Sequence, residues 1–121
     1  MNLYESNYLR LSALCGDFRQ LPQQRVSRVG GQCDLVLALL EHTVYTSALT
    51  LSYLLPRDGA LAPALESYPD LRLRIYHDAR LVEAEGAERE LHQRFRRNLM
   101  LNKWLEYCVD CGHRFAPAPG S

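Results

Sequence analysis

Apolar residues recur with helical spacing near the N-terminus. They follow one another at intervals of four and three residues and comprise Tyr4, Tyr8, Leu11, Cys15 and Phe18. This period is typical of an amphipathic helix. Asn2 and Glu5 have the spacing of a capping box, in which two side chains satisfy free amides at a helix start. The pattern therefore predicts an N-terminal helix with one buried face.

A longer helical pattern follows in the last third of the chain. We predict a helix from Glu88 to Cys111 with a broad apolar face. That face comprises Leu91, Phe95, Leu99, Leu101, Trp104, Leu105, Cys108 and Cys111. Gly112 stands where a glycine often ends a helix. The segment 116–121 has little to bury, so we expect one domain over 1–115 and a flexible tail after it.

Strand patterns fill the space between the two helices. Arg25 to Val29 and Gln32 to Glu41 flank Gly30-Gly31, a pair suited to a hairpin turn. The next segment, Val44 to Leu54, alternates polar and apolar residues with period two, as in a half-buried strand. We therefore predict two long antiparallel strands joined by a turn at residues 41–44.

A further alternation follows the loop predicted from Pro56 to Asp70. Leu71, Leu73 and Ile75 lie on one face of this segment. Its pattern runs on to Ala84, either as two strands with a turn or bulge near Asp78 or as one long strand. We thus predict an α+β fold, in which a four- to five-stranded antiparallel sheet carries both helices on one face and leaves the other face in water.

Composition narrows the classes of function. The chain has 121 residues, of which 47% are hydrophobic, and it carries 14 basic and 14 acidic residues. Such a balance is typical of a globular protein and gives no overall field toward nucleic acid or an anionic membrane. We find neither a membrane-spanning apolar run nor a signal-peptide pattern. We therefore expect a cytoplasmic protein with four reduced cysteines, no membrane partner and no cofactor.

Four short motifs resemble a known family. They are Asn7 to Leu11, the Glu41 to Thr46 segment, Arg74 to Ala79 with its Tyr-His-Asp-Ala element, and Trp104 to Cys108. Together they are similar to the YqiB-like proteins, a bacterial family classed as a domain of unknown function. The resemblance implies the order helix, sheet, helix and a bacterial cytoplasmic setting, but no established activity. The interval 86–98 is shorter here than the corresponding segment of that family.

The Tyr76-His77-Asp78 triplet is the first candidate for chemistry. Histidine exchanges protons near neutral pH, and a neighbouring carboxylate can orient it. Strand parity places His77 on the core side and Tyr76 and Asp78 on the opposite side, so a regular strand would keep them apart. A bulge at Asp78 could bring them together, and Glu41-His42 at another turn could converge on them. The alternative is a structural histidine beside a turn-forming aspartate.

Two further groups are candidates for binding. Cys108, Cys111 and His113 resemble half of a zinc site, but the sequence offers no second pair of ligands beside them, and we favour packing of the thiols. Basic residues make the last helix a possible nucleic-acid surface, with a solvated helix face as the alternative. The binding candidates are Arg72, Arg74, Arg94, Arg96 and Arg97.

These observations lead to three hypotheses of function. The first is a non-catalytic interaction or regulatory module that binds a protein partner or forms a homodimer, since no phosphate loop, complete metal site or nucleophile motif is present. The second is a small enzyme that uses His77 as acid or base, with Asp78, Tyr76 or Glu41 assisting. The third is a nucleic-acid binder that uses the basic C-terminal helix.

Overall fold

The computed structural model describes residues 1–21, 23–54, 70–86 and 91–115. Within these ranges, two α-helices enclose five strands in chain order, with a 3₁₀ turn at Phe18–Gln20. The helices are α1 (Leu3–Cys15) and α2 (Leu91–Asp110). The strands are β1 (Gln24–Ser27), β2 (Asp34–His42), β3 (Thr46–Leu54), β4 (Asp70–Tyr76) and β5 (Leu81–Glu85).

The five strands form one antiparallel sheet in sequence order. The segment after residue 70 is therefore two strands, separated by a turn at residues 77–80. The turn predicted at residues 41–44 was too early, because β2 continues through His42. The loop predicted at residues 56–70, the start of the last helix at residue 88 and the tail 116–121 lie largely outside the described residues.

The α+β architecture predicted from the sequence is confirmed. Both helices and one face of the sheet supply a common core, in which the buried sheet residues include Leu37, Leu49, Leu51, Leu73 and Ile75. The helices add Leu11 and Leu14 from α1 and Leu101 and Leu105 from α2. Each such side chain stabilises the folded protein by roughly 1.5–3 kcal/mol when it is buried, so this shared apolar layer holds both helices on one face of the sheet. The capping box of Asn2 and Glu5 begins α1 as predicted.

The apolar face predicted for the last helix was partly wrong. Leu91, Phe95 and Leu99 are 78%, 52% and 37% exposed. The buried face of α2 instead runs through Asn98, Leu101, Trp104, Leu105 and Cys108. Asn98 occupies one core position, and Leu91, Phe95 and Leu99 face outward. A prediction based on hydrophobicity alone therefore assigns the wrong face of α2 to the core.

A buried asparagine network joins the helices to the outer edge of β5. Asn7 Nδ2 donates to the carbonyl of Val82 at 3.2 Å, and the amide of Ala84 donates to Asn98 Oδ1 at 2.7 Å. Asn7 and Asn98 are both fully buried, and Asn102 Nδ2 donates to Asn7 Oδ1 at 3.0 Å. Because β5 is an edge strand, these backbone groups have no strand to pair with. Asn7 and Asn98 make the hydrogen bonds that a neighbouring strand would otherwise make, and they thereby set the position of both helices.

A one-residue β-bulge interrupts the pairing of β2 with β3. Leu39 lies opposite Leu49, but Glu41 lies opposite Ala48, so Leu40 is the extra residue. Side chains alternate between the faces of a strand, and a bulge therefore exchanges the faces of all residues beyond it. His42 is placed opposite Ser47 on the core face as a result, while Glu41 turns to the polar face.

Replacing Asn98 with leucine is expected to lower the free energy of unfolding by about 2 kcal/mol. The substitution leaves the Ala84 amide buried without an acceptor, and an unsatisfied buried donor destabilises a protein by roughly 1–3 kcal/mol. Urea unfolding of the Asn98→Leu variant measures the loss. Gln93→Leu, at an exposed position of the same helix, is the matched control. Equal stability of the two variants would contradict a role for Asn98 in closing the sheet edge.

Candidate functional site

A cavity of about 700 Å³ opens at the end of the sheet where β2 meets β3 and β4 meets β5. Its walls come from α1, the 3₁₀ turn and the two strand turns. The residues that matter for its chemistry are Tyr8, Phe18, Arg19, His42, His77 and Arg80. The cavity therefore brings together side chains that are distant in the sequence, and we take it as the candidate site.

Two histidines in this cavity are joined through a buried serine. His42 Nδ1 lies 2.6 Å from Ser47 Oγ, and His77 Nε2 lies 2.8 Å from the same oxygen. The imidazole ring centroids are 5.8 Å apart and the rings are nearly perpendicular. Both distances are those of good hydrogen bonds. The three side chains thus form one continuous chain, which we call the His–Ser–His chain.

Local strand structure explains why these three residues meet. Ser47 lies opposite His42 on β2 and opposite Ile75 on β4, both by antiparallel pairing. His77 follows β4 directly, and its amide donates to the carbonyl of Tyr45 at 2.9 Å. The bulge at Leu40 then turns His42 toward Ser47. Sequence analysis gave His77 its core-side placement but missed Ser47, a hydroxyl on the same face as buried leucines.

The serine hydroxyl sets the protonation pattern of the chain. Ser47 is completely buried, and its hydroxyl bridges the two imidazoles. A hydroxyl carries one proton, which it donates to one imidazole while it accepts from the other. In the neutral chain, one histidine therefore holds its proton toward Ser47 and the other accepts from it. Each imidazole keeps its second nitrogen for another partner.

His77 is held in its neutral form. Burial lowers the pKa of His77 below its ordinary value, the neighbouring His42 and Arg19 lower it further, and Asp78 acts in the opposite direction. Phe18, itself buried, lies 6.4 Å from the His77 ring by centroid distance. An imidazole that is neutral near pH 7 can accept a proton, as a general base must.

Of the groups proposed to assist His77, Asp78 lines the same cavity, whereas Glu41 and Tyr76 lie on the polar face of the sheet. Asp78 is exposed in the turn at the cavity rim, and Glu41 points to the polar face near Arg74 at 3.9 Å. The Tyr76 hydroxyl donates to Glu83 at 2.8 Å, also on that face. The partner that the structure gives His77 is the Ser47–His42 pair. The strand pattern alone could not show this, because it depends on the bulge.

Arg80 occupies an unfavourable backbone conformation beside the cavity. Its φ of 56° lies in the left-handed region, and no other non-glycine residue of the described chain has a positive φ. A side chain in this region costs roughly 1–2 kcal/mol because the Cβ approaches the following carbonyl. The turn between β4 and β5 therefore carries an arginine where a glycine would fit better, and this arginine lines the cavity.

Most of the arginine binding candidates have partners within the protein. Arg72 pairs with Glu85 at 3.2 Å, Arg74 also pairs with Glu85, and Arg94 donates to Glu83 at 2.7 Å. Burial raises the pKa of Glu83, but hydrogen bonds from Arg94 and Tyr76 outweigh it and the pKa is lowered. The positive charge of this region is therefore largely neutralised.

Two other candidate arginines lie on α2. Arg96 is exposed, and the guanidinium of Arg97 packs against Gly86. Three of the five basic candidates, Arg72, Arg74 and Arg94, thus face carboxylates, which offset their positive charge.

The cysteine and histidine candidates near the C-terminus are engaged in packing and hydrogen bonds. Cys108 is buried, and burial raises the pKa of its thiol to about 11. His113 Nδ1 lies 2.9 Å from Ser27 Oγ, and Cys111 is half-buried. Within the ranges described, no three His, Cys, Asp or Glu side chains meet in a cluster suited to a metal ion.

A second candidate surface covers the outer side of α2. We define the outer α2 face as a shallow apolar depression lined by Arg96, Leu99, Met100, Lys103, Trp104 and Tyr107. Met100 and Tyr107 are 45% and 53% exposed, whereas Trp104 is only 7% exposed. The indole of Trp104 donates to the Tyr53 hydroxyl at 3.1 Å and packs against that ring. Trp104 therefore forms the floor of the depression, and the more exposed side chains of Met100 and Tyr107 line its sides.

Comparison with known proteins places the chain in a family. The family model described as "Protein of unknown function (DUF1249)" matches residues 10–94, which include the His–Ser–His chain. The chain belongs to this family. The chain is also similar to proteins from Escherichia coli that carry the name "Uncharacterized protein YqiB".

The relatives from E. coli strain K12 and E. coli O157:H7 are each 28% identical to the chain over 135 aligned positions. The alignments cover 97% of the chain and 91% of each relative. No solved structure matches the chain significantly. Neither helix in the described ranges combines the length and hydrophobicity that a membrane span requires. The family match and the E. coli relatives therefore confirm the resemblance seen in the sequence. The family's description assigns no activity.

Replacing Arg80 with glycine is expected to raise the free energy of unfolding by about 1 kcal/mol. Glycine has no Cβ and adopts a positive φ without strain. Arg80→Ala keeps the Cβ and is the matched control, with a change of a few tenths of a kcal/mol at most. Urea unfolding compares the variants. A glycine variant less stable than the alanine variant would show that the arginine conformation is not strained.

Stability is expected to fall on acidification below about pH 6.5. The folded-state pKa of His77 is lower than the ordinary value of 6.5, and that of His113 is lowered in the same direction, chiefly by burial. Between the folded-state pKa and the unfolded-state pKa of each histidine, the unfolded chain binds more protons than the folded one. The free energy of unfolding therefore falls as pH falls through this window. Above the window both states hold neutral imidazoles and the effect vanishes.

Urea unfolding across this pH range measures the slope. His77→Gln removes one of the two contributions and should give a shallower pH dependence than the unmodified protein. His92→Gln, at an exposed position of α2, is the control and should leave the slope unchanged. Identical slopes for all three proteins would contradict the neutral state of the half-buried His77.

Proposed function

We propose that this protein is a non-catalytic interaction module that binds an acidic amphipathic helix of a partner protein on the outer α2 face. The observation that carries the proposal is the set of apolar side chains that α2 turns away from the core. Contiguous exposed apolar surface commonly marks an interaction site. Trp104 beneath it resembles the buried aromatic anchors that dominate binding energy in interfaces.

The charge of the surface indicates the chemistry of the partner. Arg96 and Lys103 flank the apolar depression, and none of its lining residues is acidic. The nearby Glu106 pairs with Arg10 of α1 at 3.2 Å, which places its charge on the other side of the helix. A partner helix with leucines on one face and carboxylates beside them would satisfy both the apolar and the cationic groups.

A second copy of the chain fits the surface less well. A two-fold symmetric dimer places the same patch of each subunit face to face. Two outer α2 faces would then bring their arginines and lysines together without a carboxylate between them. Like charges at an interface disfavour association, so we propose a heterologous partner in place of the homodimer.

An acid–base function for His77 is the second candidate. It is favoured by one observation, the hydrogen bonds that connect His77 through Ser47 to the exposed His42. Such a chain can pass a proton between solvent and the cavity. Binding of nucleic acid is less favoured, since Arg72, Arg74 and Arg94 are paired with carboxylates.

We also propose that the protein works in the bacterial cytoplasm. Cys15 and Cys108 are buried thiols that form no disulfide bond. Thiols that persist unpaired are typical of a reducing compartment. The E. coli relatives agree with a bacterial setting.

The docking proposal predicts selective binding of a synthetic helical peptide with leucines on one face and glutamates on both flanks. A peptide of equal length with lysines in place of the glutamates should bind at least about tenfold more weakly, a difference of about 1.4 kcal/mol. Fluorescence anisotropy gives the affinities. Amide chemical shifts should change at residues 96–107 and little elsewhere.

The Met100→Glu, Lys103→Glu double variant tests the surface directly. It should lose most of the affinity for the glutamate peptide, and added salt should weaken binding to the unmodified protein. Leu40→Glu changes an apolar side chain that is 51% exposed on β2, and it serves as the control. Equal binding of both peptides, shifts confined to other residues, or a dimer in sedimentation that Met100→Glu dissociates would contradict the proposal.

A further inference from the structure

The formal charges of the arginines and aspartates that line the cavity cancel. Arg19 and Arg80 supply two positive charges, and Asp17 and Asp78 supply two negative ones. Neither arginine forms an ion pair with a residue in the described ranges. Asp17 Oδ1 accepts a hydrogen bond from the Arg19 amide at 2.9 Å, which holds that carboxylate in the backbone turn. The remaining variable is the protonation of His42 and His77, so these imidazoles decide the net charge of the wall.

The His–Ser–His chain can take up one proton without breaking. In the neutral chain, the histidine that donates to Ser47 has an unprotonated outer nitrogen. A proton added at that nitrogen leaves both hydrogen bonds intact. A second proton would force both imidazoles to donate to Ser47 and would leave its hydroxyl proton without an acceptor. His42, the exposed member of the pair, is therefore the place for the single added proton.

We infer that this cavity binds a small oxyanion, such as a phosphate, sulfate or carboxylate group, and takes up one proton on the His–Ser–His chain as it does so. The two guanidinium groups supply forked hydrogen-bond donors that suit such an anion. The imidazolium of His42 adds one positive charge to a wall that is otherwise neutral. This inference concerns a different surface from the docking proposal and stands independently of it.

The backbone of Arg80 supports this role. A residue held in a strained conformation that lines a cavity is a recurrent feature of ligand sites. Glycine would fit the turn without strain, yet the chain places a guanidinium there. A side chain that lowers stability but adds charge to a cavity is the pattern expected where function and stability compete.

Proton uptake determines the sign of the pH effect. An anion in the cavity favours the charged imidazole and so raises the pKa of the histidine that carries the proton. By linkage, affinity for the anion must rise as pH falls through the range in which that histidine titrates. Uptake of one proton gives at most about a tenfold gain in affinity per pH unit. Asp17, Asp78 and Tyr8 also face this region.

Sulfate is a suitable probe because it keeps its charge across the range. The experiment follows the imidazole resonances of all four histidines by NMR during pH titrations, in sodium sulfate and in sodium chloride of equal ionic strength. We expect sulfate to raise the titration midpoint of His42 and, less strongly, of His77. His92 and His113 lie outside the cavity and should keep their midpoints. Acetate in a parallel titration distinguishes a planar carboxylate from a tetrahedral anion.

Variants separate a built site from general ion effects. Arg80→Gly removes a cation and relieves the backbone, and Arg19→Gln removes the other cation; each should reduce the sulfate effect at least severalfold. Arg25→Gln, at an exposed position outside the cavity, should leave the effect unchanged. Equal shifts at His92, an undiminished effect in Arg80→Gly and Arg19→Gln, or anion affinity independent of pH would overturn the inference.

Discussion

The alternation of side chains along a β-strand is the constraint on which this structure depends. One face of the sheet must supply the apolar residues that both helices cover, so each strand has only one acceptable register. A single extra residue, Leu40, reverses that assignment at the end of β2. Before the bulge the core face carries leucines; after it the core face carries His42, beside Ser47 and His77. The candidate site is thus a consequence of the β-bulge at the end of β2.

Polar groups in the core determine where the helices lie. Apolar contact is non-directional and would allow α1 and α2 to slide over the sheet. Asn7 and Asn98 remove this freedom, because each binds a particular backbone group of β5. The same bonds close an edge that would otherwise be open to another strand.

Much of the fold could be predicted from the sequence, because periodicity reports which residues must be buried. The helix–sheet–helix order, the glycine hairpin and the core placement of His77 all follow from that rule. Periodicity gave wrong predictions where a polar residue is buried or an apolar residue is exposed. Asn98 is buried because it has a partner distant in the sequence, and Phe95 is exposed, so the predicted face of α2 was rotated. The His42–Ser47 contact depends on a bulge, which leaves no reliable mark in a run of six consecutive apolar residues.

The measurement that tests this account most directly is the proton–proton nuclear Overhauser effect between the imidazole rings of His42 and His77. With ring centroids 5.8 Å apart, ring protons of the two residues should give cross-peaks, and the nitrogen shifts should show one imidazole donating to Ser47 while the other accepts. The contrary result would be a His42 ring with contacts to Thr46 and Arg74 on the polar face and none to His77. That pattern would mean that β2 continues without a bulge, and that the two histidines do not share a site.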